Sequence, residues 1–150
     1  MSDPRYTRVI EDFCRLVGFD DVAGLIHRGQ LLLDQVVFTL RPGGPDAPEA
    51  VLVYCDFGEP PPARAAEAYL ALLGSNLFLF AGGEASFCAL PSNGRVTLAS
   101  RIPLAEFRAE ALLQMLKGQA ETARVWREHH FLAEPAAGSA QPLETMLRYA

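Results

Sequence analysis

The sequence predicts an α+β domain of order α-β-β-β-α-β-β-α: a mostly antiparallel, twisted sheet packed by helices and assembled as a homodimer. Three patterns carry this reading. Residues 85–102 carry a hairpin signal, residues 4–17 and 104–130 repeat apolar side chains at helical spacing, and residues 63–73 form a short helix that is apolar nearly all round.

The first helix starts at Asp3-Pro4, an N-cap followed by proline at the first helical position, where its missing N–H costs nothing. Tyr6, Val9, Ile10, Phe13, Leu16 and Val17 then form a wide apolar stripe, and Gly18 is placed to end it. Residues 19–28 read as a connector. Two short strands follow, residues 30–33 and 36–41, joined tightly at Asp34-Gln35. Residues 42–48 (PGGPDAP) are a surface loop. Residues 51–57 make the third strand, with Val51, Val53, Cys55 and Phe57 on one face.

Pro60-Pro61-Pro62 stops the sheet, and the second helix runs over residues 63–73 before a break at Gly74-Ser75-Asn76. Only Arg64 and Glu67 are charged in it, so it needs cover on more than one side. A second subunit can supply that cover at Ala65, Ala68 and Leu72, where small side chains permit close approach. The apolar run at residues 77–80 comes next, followed by a hairpin with Asn93-Gly94 in a two-residue turn. That turn would pair Ala89 with Leu98, Phe87 with Ser100 and Ala85 with Ile102. A long last helix begins at Leu104 or Ala105 and reaches His130. Gly118 costs it about 1 kcal/mol relative to alanine without breaking it. The domain is taken as residues 1–132. Residues 133–150 are a linker-like tail in which Leu143, Met146, Leu147 and Tyr149 could build one last amphipathic turn or two.

The net charge of −5 argues against nucleic acid, whose partners carry basic patches. Charges near the start exclude a signal peptide, and no apolar run is read as membrane-spanning, so no membrane insertion is expected. Cys14, Cys55 and Cys88 are odd in number and widely spaced, and read as reduced core thiols of a cytoplasmic protein.

No pattern supports catalysis. His129 and His130 are adjacent, about 100° apart on a helix, and cannot chelate as an i, i+4 pair would. Cys55 and Cys88 lack a basic neighbour in sequence to activate them. Gly43-Gly44 and Gly82-Gly83 have neither phosphate-loop nor dinucleotide spacing. Asp34 and Asp56 read as surface or turn aspartates rather than a catalytic pair. The expectation is no catalytic residue, no cofactor and no metal. A small α+β enzyme or ligand-binding domain, and a dimeric structural adaptor, are the alternatives to a binding module.

The stretch LALLGSNLFLFAGGEASFCALPSNGRVTLASRIPL, followed by a long helix with Trp126, resembles the class I type III secretion chaperones of the Tir-chaperone family. Leu72 to Leu77 matches the family's Leu-x-x-x-Asn-Leu-like stretch, and Pro103-Leu104 its entry to the last helix. The resemblance implies a small cytoplasmic homodimer without enzymatic activity. Its partners would be itself, the N-terminal region of a secreted effector, and the export machinery. It also implies effector contacts drawn from Val9, Phe13, Leu16, Leu31, Leu33, Val37 and Phe38. The first strands would then offer an edge for strand addition by an extended segment of the effector.

Overall fold

The computed structural model describes residues 3–83 and 85–133. Helix α1 (Pro4–Val17) is capped as its sequence demands. Asp3 accepts from the Arg5 N–H at 2.7 Å, and Gly18 closes the far end at φ 69°. The expected connector contains a seven-residue helix, α2 (Val22–Arg28). Asp21 caps it by accepting from the Gly24 N–H at 2.9 Å, and a Cβ at Gly24 would collide with that carboxylate. Four apolar positions around a glycine are too short a period to announce a helix.

Strands β1 (Gln30–Leu33) and β2 (Val36–Pro42) pair as a hairpin with Leu33 opposite Val36. Asp34 and Gln35 turn it, both at positive φ, the conformation of a type I′ turn made here without glycine. Strand β3 (Ala50–Gly58) buries Val51, Val53, Cys55 and Phe57 completely, as its alternation predicts. The finished sheet has the order β1-β2-β3-β5-β4, and every pairing is antiparallel.

Helix α3 (Ala65–Gly82) corrects the sequence reading. It does not break at Gly74-Ser75-Asn76 but continues through residues 77–80 to a C-cap at Gly83. Ser75 Oγ folds back onto the Ala71 carbonyl at 3.1 Å, and Asn76 spends its amide on the neighbouring strand, so both sit in helix at little cost. The stretch from Pro62 to Gly82 is therefore 21 residues long and contains an 18-residue window of mean hydropathy 1.3. By length and composition alone it could cross a membrane, against the expectation from sequence. Its inner side packs on the domain, while few of its residues are buried. Ala68 and Leu72 are buried in the domain, and Tyr69 Oη donates to the Gly94 carbonyl at 2.7 Å.

Strands β4 (Ala85–Ala89) and β5 (Val96–Pro103) form the expected hairpin two residues out of register, with Ala89 opposite Val96 and Phe87 opposite Leu98. Asn93 does not adopt positive φ. Its Oδ1 instead accepts from the Arg95 N–H, while Gly94, at φ 73°, donates to the Leu90 carbonyl. A two-residue slip preserves which side chains face inward. Helix α4 (Ala109–His129) starts later than expected. A turn at Pro103 to Phe107 precedes it, with Glu106 N–H on the Pro103 carbonyl.

Helix α4 lies against β1, β2 and β3, and α1 packs beside it. Tyr6 stacks on Phe107, and Trp126, fully buried, sits against Phe57 and His130. Arg127 ties the helix end to the sheet by donating to the carbonyls of Phe57, Asp56 and Gln35. The proposed tail from residue 134 onward, with Leu143, Met146, Leu147 and Tyr149, lies outside the described residues.

Candidate binding surfaces

Among the described residues, two open apolar surfaces stand out once the core is assembled. The first is the β1 edge of the sheet. The Leu40 N–H donates to the Gly29 carbonyl at 2.6 Å, and Leu33 faces Val36 across the turn. Alternation then directs the backbone groups of Leu31 toward β2 and those of Gln30 and Leu32 outward, to the open edge. Beside this edge Leu32 is 67% exposed, and its cross-strand neighbour Val37 stands exposed on the same outer face.

The residues expected to hold an effector divide accordingly. Phe13, Leu31 and Phe38 are core, Val9 and Leu33 are half-buried against it, and only Leu16 and Val37 are exposed. Leu16 lies at the end of α1 with exposed Val17, near an open cleft between α1 and α2 lined by Cys14, Gly18, Phe19 and Val22. Leu32 was missed. The signal was available: Val36, Phe38 and Leu40 alternate inward, and a two-residue turn then forces Leu32 and Val37 to the other face.

The second surface is the outer side of α3. Leu70, Leu73, Leu77 and Phe80 fall on one stripe and are all exposed, Phe80 at 83%. Of the expected interface residues, Ala68 and Leu72 are instead buried within the same chain, and Ala65 is half-buried. Reading a break at Gly74 hid the stripe, because two of its four members lie beyond it.

The groups considered for chemistry have structural employment. Asp56 holds Arg95 at 2.6 Å and accepts from the Gly58 N–H, while Asp34 is an exposed turn residue. Burial pushes the Cys55 thiol up to about 12 and also raises that of Cys14. Cys88 is exposed on β4, which corrects the expectation of three core thiols. Among the described residues, no three His, Cys, Asp or Glu side chains gather as a metal-ligand set.

Among the described residues, an antiparallel sheet with an open β1 edge, backed by two helices and flanked by a third with an exposed apolar face, defines a small α+β binding scaffold. The sequence profile of the Tir chaperone protein (CesT) family matches residues 10–127. The chain belongs to this family, and is accordingly a type III secretion chaperone that binds effectors. The family is one of chaperones, not of enzymes.

The fold is that of solved structures in the same class. One is a chain of the HopA1-SchA chaperone-effector complex, with 21% identity, a TM-score of 0.62, and coverage of 83% of this chain and 94% of that one. Another is a chain of the ExsC-ExsE complex, with 20% identity, a TM-score of 0.65, and coverage of 87% and 96%. No curated protein matches the chain significantly in sequence.

Proposed function

We propose that this chaperone acts as a cytoplasmic homodimer that holds the N-terminal chaperone-binding region of a secreted effector in extended form and yields it to the export machinery. The observation that carries the reading is the β1 edge. Outward-facing backbone groups at Gln30 and Leu32 lie beside the exposed side chains of Leu32 and Val37. An extended effector segment adding there as a strand would gain main-chain hydrogen bonds, and its alternate side chains would cover the apolar pair. Leu16 and Val17 at the end of α1 are a second apolar anchor point. Affinity then arises from many modest contacts offset by the ordering of the effector, which suits a partner that must be released unfolded. Holding of this kind requires no nucleotide.

Support for the homodimer comes from the α3 stripe. Four large apolar residues exposed along one helix face are more than an isolated surface normally carries, and a two-fold related copy of the same stripe would cover them. The experiment is coexpression with an effector, followed by hydrogen exchange on the purified complex. Protection concentrated in β1, β2 and α1 supports the assignment. Protection confined to α4 would overturn it.

A further inference from the structure

The chain beyond α4 is steered to the start of α3. His130 and Phe131 both take positive φ and turn the backbone out of the helix, and Leu132 N–H bonds to the His129 carbonyl. Phe131 then sets its ring edge-on to Phe87 of β4, and Arg64 Nη1 donates to the Ala133 carbonyl at 3.4 Å. Arg64 is the N-cap residue of α3. The described chain thus ends at the base of the helix whose outer face is uncovered.

The remaining C-terminal residues suit that face by length and by pattern. Residues 134–142 are rich in Ala, Gly, Ser and Pro, and extended they reach about 30 Å at roughly 3.3 Å each. Along α3, Leu77 lies about 20 Å from Arg64 at a rise of about 1.5 Å per residue. Next come Leu143, Met146 and Leu147, separated by Glu144, Thr145 and Arg148, with apolar positions at i, i+3 and i+4. Linker reach and apolar spacing both match the stripe of Leu70, Leu73, Leu77 and Phe80.

We propose that residues 143–149 dock on the exposed face of α3 of their own chain and compete there with the second copy, so that the C-terminal segment sets the strength of self-association. The competition rests on the reading of that face as the dimer interface. A tethered segment works at an effective concentration in the millimolar range, so even weak docking opposes association.

The test uses the full chain. Leu143→Asp with Leu147→Asp should tighten the dimer about a hundredfold by sedimentation equilibrium, the change expected where docking is about ten times favoured over release in each of the two protomers. An unchanged or weakened dimer overturns the competition. Independently, Leu73→Cys with Leu147→Cys in a Cys88→Ser background should form an intrachain bismaleimide cross-link in the monomer fraction. Absence of that cross-link, or cross-linking only between chains, overturns the docking. A cross-link in a chain that never dimerises upholds the docking and removes the dimer reading instead.

Discussion

The side chain of Asn76, midway along α3, bonds to both backbone groups of Phe87 in β4. Nδ2 donates to the carbonyl at 3.0 Å, and Oδ1 accepts from the N–H at 2.7 Å. A carboxamide here takes the place of a neighbouring strand residue. It satisfies β4 at its centre, where a further strand would otherwise add, and among the described residues leaves β1 the freer edge of the sheet. Asn76→Ala should cost about 1–3 kcal/mol, because two partly buried backbone groups lose their partner. Urea denaturation measures it, and a change within about 0.5 kcal/mol would show that water replaces the amide.

Neighbouring leucines on α3 should behave in opposite ways. Leu73→Asp leaves the fold intact, since Leu73 is exposed, and weakens self-association by placing charge in an apolar contact. Leu72→Asp puts an unpaired carboxylate into the core of a single chain and lowers stability by about 3 kcal/mol or more. Thermal melts and light scattering on the pair separate the two effects. Equal loss of stability in both would place Leu73 inside the monomer.

At the other edge, Leu32→Asp should weaken effector binding roughly tenfold or more while melting temperature and dimer persist, the loss expected of an exposed apolar anchor worth about 1.5 kcal/mol or more. Phe38→Asp should prevent folding altogether, because Phe38 is fully buried. Titration of a labelled effector peptide reads the first. Undiminished affinity would move the effector away from β1.

Thiol chemistry gives a third separation. Native protein should react with a disulfide reagent at Cys88 alone, while Cys14 and Cys55 become reactive only on unfolding. Burial holds both thiols protonated, and Cys55 most strongly. One fast equivalent per chain is the expected count. Three fast equivalents would mean the core opens readily.

Alkaline pH should erode stability. Burial raises Tyr6 from its ordinary 10.0 to about 12, and its Oη donates to the Leu40 carbonyl. The native state therefore keeps a proton that the unfolded chain gives up. Stability is full below about pH 10 and declines as the pH rises toward 12. Tyr6→Phe, which removes the titrating group, should flatten that part of the profile. An equally steep decline in the variant would assign it elsewhere.

Much of the fold was legible because its signals are local and redundant. Asp3-Pro4 and Gly18 bracket α1, and alternation in β3 names its buried face without ambiguity. The binding surfaces were less legible for a physical reason. Apolar periodicity identifies which residues share a face, but not whether that face meets the core or the outside. Phe13 and Phe38 thus passed for contacts, and Leu32 was overlooked. At α3, Gly74, Ser75 and Asn76 have poor helix propensity, and only the β4 backbone, distant in sequence, shows why Asn76 is tolerated there. Asn93-Gly94 signalled the hairpin correctly, but its register depended on a side-chain bond to Arg95 that no pattern encodes.

Trp126 is the chain's single tryptophan, enclosed between Phe57 and His130 at the seam of α4 and β3. Every photon of indole emission therefore originates in one sealed compartment. The spectrum should be blue-shifted, insensitive to aqueous quenchers, and unchanged as partners come and go at β1 or along α3. The protein carries its own optical gauge of integrity, one that reports whether the scaffold is folded and is blind to whether it is loaded.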